Sequence, residues 1–447
     1  MNILSYRGSD APGGVSSALS HVFSNYAKTA KWWHMKGCDL VRENKIDRRL
    51  KTNVALSLNQ SLLDNHYRFC NETIWPSMHD LPQYCQLSNF AQGFYRQFNR
   101  TTADALSKGQ TAGNDSYFIN DYQFALVPKY LGAANCLVFW HIPWPKEVEN
   151  ECAPYLIELA EAMLYSSVLA FHIEEYVQNF CAFVSRFLPH YRVSGSVIES
   201  KFGRQTRVIA APLGLDSKFW HEQCMNEPPA LIDRFAGEQI LLSVDRGDYT
   251  KGIVDRLEAI ELFLFFNPQY HGKVRFVQLL THSRSQLESF DNYVQRATTK
   301  ANSINARFGQ GGWEPIAWIE DSLPIEKLAP LYRRADVMMV TPVRDGLNLT
   351  AKEYVACHET EPGALILSPS AGVWQELGRY AITAKTSDRF HMADMIQRTL
   401  EMTTAEKVAR MRLMQRSLDR NSISSWWSNL LDQWQVTQPA ALAQVSS

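Results

Sequence analysis

No stretch of this 447-residue chain reaches about 18 consecutive apolar residues. The densest run, LFLFF at 262–266, stops at Asn267-Pro268, so a membrane-spanning helix is not expected. The opening MNILSYRGSD lacks the apolar centre of roughly 7–15 residues that a secretory signal carries. An excess of one charge is also missing. Lys and Arg number 45 against 46 Asp and Glu, for a net charge of −1. That argues against a nucleic-acid or membrane partner held by bulk electrostatics and leaves room for a local basic cleft. The eight cysteines, at 38, 70, 85, 136, 152, 181, 224 and 357, contain no CxxC pair. A zinc site therefore has little support, and reduced, mostly buried thiols in a cytoplasmic enzyme are expected. No GxxxxGK[ST], GxSxG or HExxH motif occurs, which leaves hydrolytic chemistry little support. Repeats and low-complexity tracts are absent as well.

What is there has the composition of a globular protein with ample core, 45% hydrophobic and 20% charged. The length suggests about two or three domains. The 12 tryptophans exceed the usual share, and buried ring surface accounts for most of them. Strands are predicted at 2–6, 116–120 and 136–141, and VIAAPLGLD (208–216) reads as a final strand leaving the N-terminal half. Helices are predicted over 151–169, with Leu156, Leu159, Ala160, Met163 and Leu164 on one face, and over 174–187; another pattern begins at Val15. The polar stretch 221–237, carrying Pro228-Pro229, is the candidate linker region. Apolar runs at 240–244, 274–280, 336–341 and 364–368 then alternate with helical patterns at 253–266, 285–308, from Asn348 and from near Ala371. Such alternation predicts parallel sheets covered on both faces, and two doubly wound domains. The tail after about 436 is expected to fray.

Ligands of doubly wound sheets sit at the carboxyl ends of the strands, which directs attention to the loops there. DRGDYTKG (245–252) sets Arg246 and Lys251 around a turn ahead of a helix, a pattern suited to a phosphate group or to a solvated turn. THSRSQ places Arg284 near a helix start, as an anion ligand or an ordinary salt-bridged arginine. In TPVRDGLNLTAKEYVA (341–356), amides of residues 347–349 at a helix start can hold a diphosphate, and Glu353 can accept from ribose hydroxyls. An N-cap Asn348 with a surface Glu353 fits the spacing equally well. RGSDAPGG offers Arg7 and the pair Gly13-Gly14, for close backbone approach or for a turn. Asp121 and His141 each follow a strand, and the aromatic-rich 66–82 reads as a loop that packs a sugar face or anchors itself.

Taken in order, GGVSSAL, NDYQFALVP, HIPWP, AFHIEEYVQNF, PLGLD, DRGDYTKGI, RRADVMMVTPVRDGLNLTAKEYVA and LSPSAG resemble the trehalose-6-phosphate synthase family of retaining glycosyltransferases, over about residues 3–435. The resemblance implies a GT-B fold, an α/β architecture of two doubly wound, Rossmann-like parallel-sheet domains facing across a cleft. It places an acceptor-side domain at 1–220, joined by a crossing helix at about 420–436 with Trp427, Leu430, Leu431 and Trp434, and a donor domain at 221–419. It implies transfer of glucose from a nucleotide-glucose, usually UDP-glucose, to glucose 6-phosphate. No cofactor or metal is implied, since Arg246 and Lys251 neutralise the departing diphosphate. Asp345 would hold the glucosyl hydroxyls, Asn348 and Leu349 the phosphates, Glu353 the ribose, and Gly14 a glycine loop. His141 would lie beside the transferred sugar and Asp121 near the reacting acceptor. Arg7, Tyr67, Trp75 and Arg284 would form the acceptor pocket, with Trp33 a loose match. Small-molecule substrates are the implied partners, and a homo-oligomer is left open.

Three positions depart from the usual pattern. Asn120 stands where the family generally has His, Gly247 where a larger apolar residue is common, and SPSAG replaces a Ser-Glu-Phe-Ala-Gly type segment. A glucosylglycerol-phosphate synthase, taking glycerol 3-phosphate, and a catalytically inactive synthase-like regulatory protein are the competing readings.

Overall fold

The computed structural model describes residues 1–8, 19–20, 30–38, 45–47, 53–109, 116–132, 134–229, 235–282, 284, 286–358 and 362–436. The chain divides into two compact units, Met1–Leu213 with Ile423–Ser447, and Gly214–Ser422. Gly13-Gly14, the helical pattern from Val15 and the tail after 436 lie outside the described residues.

The first unit holds strands β1 (Asn2–Leu4), β2 (Lys31–Cys38), β3 (Lys45–Asp47), β4 (Asn53–Asn59), β5 (Ser116–Asn120), β6 (Asn135–Phe139), β7 (Val168–Phe171), β8 (Tyr191–Ser194), β9 (Val197–Ser200) and β10 (Gln205–Ala210). They form one sheet in the order β3-β4-β2-β1-β5-β6-β7-β10-β9-β8. The run from β4 to β10 is parallel, and β3 and the β8–β9 hairpin add antiparallel edges. The winding reverses between β1 and β5, so the loops after these strands flank a switch point.

The second unit holds β11 (Gln239–Arg246), β12 (Val274–Thr281), β13 (Ile316–Ile319), β14 (Val337–Val340), β15 (Ala364–Leu367) and β16 (Ile382–Thr383). Their order, β13-β12-β11-β14-β15-β16, is parallel throughout. It reverses between β11 and β14, so the two motif-bearing loops, 246–252 and 341–348, leave adjacent strands at the switch point. Both faces are covered, which is why β14 and β15 read VMMV and ALIL with every residue buried.

Several predicted elements differ in the structure. The helix predicted over 151–169 spans Ala153–Met163, and residues 168–171 are the strand β7. Ser166 ends the helix by donating its hydroxyl to the Met163 carbonyl, and VLAF is then buried between β6 and β10. The predicted loop 66–82 is largely helical: Gln60–Arg68 is α-helix, Phe69–Ile74 widens to a π-helix, and Trp75–Met78 returns to α. Pro76 accounts for the widening, because a proline ring clashes with the carbonyl four residues earlier. That carbonyl, on Glu72, accepts instead from the Gln86 amide at 2.7 Å. The polar segment around 221–237 is not where the units divide. The helix Ser217–Gln223 belongs to the second unit, capped by Asp216 and with Trp220 tilted against the Tyr332 ring.

Ten of the 12 tryptophans are buried. Trp33 is one of them: it lies in β2 and donates to Asn2 Oδ1 at 3.1 Å, a core contact and not a pocket wall. The last helix, Ile423–Val436, packs on the first sheet, with Trp426 donating to the Ala211 carbonyl and Trp434 to Asn135 Oδ1. Seven described cysteines form no disulfide, and five of them are buried. Among the described residues no helix is long and apolar enough to cross a membrane.

Candidate active site

In the second unit the loop after β11 is organised by an acid that the sequence analysis did not single out. Asp248 caps the short turn Tyr249–Lys251, its Oδ1 accepting from the Thr250 amide and hydroxyl at 3.0 Å each. Its Oδ2 takes Arg284 Nη1 at 2.7 Å and stands 3.7 Å from Arg246 Nη2. Burial opposes its ionisation, but Arg284, Arg246 and Lys251 outweigh that and hold its pKa below the ordinary value. Arg284, predicted at the start of a helix, sits four residues ahead of Glu288–Phe308 with a buried guanidinium. Gly252 follows with φ +64°, and a side chain there would run into the Thr341 carbonyl. At Gly247, a Cβ would come within 2.5 Å of Val294 Cγ2, so the valine occupies the space that a larger residue would use.

The loop after β14 is tied to the first by the Val343 amide, which donates to the Thr250 carbonyl at 2.8 Å. Asp345 is then held between two amide–carbonyl bonds, its N–H to Ser370 and its carbonyl from Gly372, both 3.1 Å. The atypical SPSAG segment is thus the support of Asp345. Asp345 Oδ2 accepts from Lys251 Nζ at 2.6 Å and from Asn348 Nδ2 at 3.0 Å. Asn348 also caps the helix Leu349–Ala356, its Oδ1 accepting from the Ala351 amide. The first-turn amides at Leu349 and Thr350 have no intrahelical acceptor, which leaves an anion-binding helix start. Behind them the buried Lys352 bonds Glu376 at 2.6 Å and pins the helix.

Glu353, on the same helix, accepts from Tyr332 Oη at 3.0 Å. Burial pushes its pKa from 4.5 up to about 7, with the tyrosine bond opposing. A raised folded pKa means stability present below pH 4.5 and lost as pH rises through about 7. Glu353→Gln is expected to remove that loss, worth roughly 3 kcal/mol at most. Denaturant melts of both proteins at pH 5 and pH 8 check it; parallel pH trends would refute the assignment.

In the first unit Asp121 follows β5 with φ 75°, and its Oδ1 accepts from the His141 amide at 3.1 Å. The strand predicted over 136–141 stops at Phe139, so His141 lies in the loop beyond it. Its ring is buried and bonded to Asn120 and His172. Burial lowers its pKa to about 3, so the ring is neutral. Tyr67 is half-buried beside Tyr6, and Trp75 is buried against His79 and Tyr122. Arg7 is exposed after β1. Four non-glycine residues among those described have positive φ, and three of them are Asp121, Arg284 and Asn348. Backbone strain of this kind collects at binding sites.

The structure thus bonds Lys251, Asp345 and Asn348 directly, links Arg246 to Arg284 through Asp248, and bonds Asp121 to His141. Asp248 and Tyr332 in the second unit and His172 in the first contact these residues unpredicted, and Asn120, noted in the sequence only as a departure from the family pattern, bonds His141. Only Asp248 left a local trace, as a capping acid before Tyr-Thr-Lys.

The sequence profile of Glycosyltransferase family 20 matches residues 4–435. A trehalose-6-phosphate synthase of Citrobacter koseri is 31% identical, over 86% of this chain and 82% of its own. The 56 kDa subunit of a UDP-forming alpha,alpha-trehalose-phosphate synthase of Saccharomyces cerevisiae is 29% identical over 96% and 90%. Against two Arabidopsis thaliana relatives the match takes in about half of the relative's length, 48% and 53%. Among solved structures, the Escherichia coli enzyme bound with UDP-2-fluoro glucose has a TM-score of 0.91 at 28% identity, covering 98% of this chain and 99% of that one. A Burkholderia xenovorans synthase in complex with glucose-6-phosphate has 0.89 at 29%, covering 97% and 99%. The expected GT-B class agrees with these matches. By its profile match over nearly the whole length, the chain belongs to glycosyltransferase family 20.

Proposed function

We propose that this protein moves glucose from UDP-glucose to glucose 6-phosphate with retention of anomeric configuration, forming trehalose 6-phosphate. The observation that carries the reading is the bonded set Lys251–Asp345–Asn348 at the switch point of the second sheet, beside the helix start at Leu349. Cations, a sugar-hydroxyl acceptor and free amides meet there, as a nucleotide sugar requires. Relatives named as UDP-forming synthases, and the bound UDP-2-fluoro glucose and glucose-6-phosphate of two solved structures, support the choice of substrates.

In this reading Arg246 and Lys251 take the charge that develops on the departing diphosphate, and the amides at Asn348 and Leu349 bind its oxygens. Asp345 accepts from glucosyl hydroxyls and Glu353 from the ribose. The acceptor hydroxyl attacks on the face that the diphosphate leaves, and the diphosphate takes its proton. The C1–O bond to phosphate breaks as the new glycosidic bond forms. By the family pattern, acceptor-binding roles fall to Arg7, Tyr67, Trp75 and Asp121 in the first unit and to Arg284 in the second, and His141 takes the role toward the glucosyl group. Positioning and charge stabilisation then supply the catalysis.

The test is nucleoside diphosphate release with UDP-, GDP- and ADP-glucose, each against glucose 6-phosphate and glycerol 3-phosphate. Release of UDP with glucose 6-phosphate is expected. Release with glycerol 3-phosphate alone overturns the acceptor, and release with no pair overturns the enzymatic reading.

A further inference from the structure

A chain of hydrogen bonds runs behind His141, and its direction can be read from either end. Asn120 Nδ2 donates to the Leu4 carbonyl at 3.2 Å, which turns Oδ1 toward His141 Nε2 at 3.1 Å. An amide oxygen only accepts, so Nε2 carries the hydrogen. The His141 ring is buried and neutral, with one N–H in all, and its Nδ1 must therefore accept. The group facing Nδ1 is His172 Nε2, 3.3 Å away, which must donate. That leaves His172 Nδ1 as an acceptor, and it faces the Leu213 amide at 3.5 Å. The backbone N–H of Leu213 can only donate, so the same order follows from the opposite end.

We infer that His172 and Asn120 are positioning residues that lock His141 in its Nε2–H tautomer with both ring nitrogens engaged, so that His141 meets a bound sugar as a neutral ring of fixed orientation with no transferable proton. This rests on the proposed glucosyl transfer, which puts His141 beside the sugar. Asn120 suits the role because its amide has no proton to lose. A histidine there, as the family generally has, would add a third titratable ring. His172 is 2% exposed, out of a substrate's direct reach, so its effect on one passes through His141.

Histidine-labelled full-length protein, observed by 15N–13C correlation spectroscopy at neutral pH, tests the assignment without any variant. His141 is expected to show a protonated Nε2 and an unprotonated Nδ1, with signals assigned by His141→Gln and His172→Gln. The opposite tautomer, or a mixture, overturns the proposal. In kinetics, His172→Gln keeps an N–H donor and is expected to stay near wild-type kcat. His172→Leu removes the donor and is expected to lower kcat about tenfold with KM for both substrates little changed. Equal kcat in the two variants, or His141 signals unmoved in His172→Leu, also overturns it. If the tautomer is as stated but His141→Ala keeps full turnover, the hydrogen-bond chain stands and the catalytic placement of His141 falls.

Discussion

Replacing Lys251 with alanine is expected to lower kcat by about 10²–10³-fold, the usual loss when one preorganised donor to developing charge is removed. The Lys251 side chain is 11% exposed and its Nζ lies 2.6 Å from Asp345, so its position is set before any substrate binds. A diphosphate arriving at the Leu349 helix start brings a stronger anion than a single carboxylate. The ammonium can bond both, and it separates Asp345 from like charge. Without it Asp345 faces the phosphates unscreened, so the variant loses both a stabilising cation and a spacer. Steady-state UDP release checks this, with the thermal melt as a control, since Asp345 keeps Asn348 as a partner. A kcat within about tenfold of wild type would sink the leaving-group role of Lys251 and with it the reading of the loop.

Asp248→Asn is expected to cost about 3–5 kcal/mol, because it leaves the buried Arg284 guanidinium without its anion. For a unit of this size that corresponds to a melting-temperature drop of roughly 6–20 °C. Asparagine keeps the cap, since its oxygen can still accept from the Thr250 amide, so the charge is what the variant removes. The Arg284 side chain is 5% exposed and that of Asp248 is fully buried, so water is a poor substitute for either partner. Adding Arg284→Met should recover part of the loss, as pairs replaced together leave no orphaned charge. Calorimetry of the single and double variants decides it. If the double variant melts below the single one, the ion pair is not what holds the loop.

The elements of the second unit were largely legible in the chain. Its strands β14 and β15 are fully buried and read as apolar runs, and the helix Leu349–Ala356 begins at the cap Asn348, whereas the short and partly exposed β13 and β16 were not predicted. The helix 253–266 matches the structure to the residue. The first unit was harder to read. β2, KWWHMKGC, interleaves lysine and histidine with its tryptophans, and the strand β7 is merged in sequence with the helix before it. The π-widened helix through Phe69–Ile74 was taken for a loop because its cause is a single proline inside an otherwise helical pattern. Arg246, Lys251, Asp345, Asn348 and Glu353 could be picked out as candidates because strand-end loops of doubly wound sheets, and the helix starts that follow them, concentrate ligand groups.

The sequence by itself determined the alternation of strands and helices, the loops that carry charge, and family membership, since each depends on residues near one another in the chain. Tertiary structure decided which of those charges are paired. Lys251 with Asp345 and Arg284 with Asp248 lie 94 and 36 residues apart, and Asn120, His141 and His172 meet only because β5, β6 and β7 are neighbours in one sheet. Ionisation state follows from these meetings: burial sets Glu353 near 7 and His141 near 3, and burial is a property of the packed fold that no local pattern encodes.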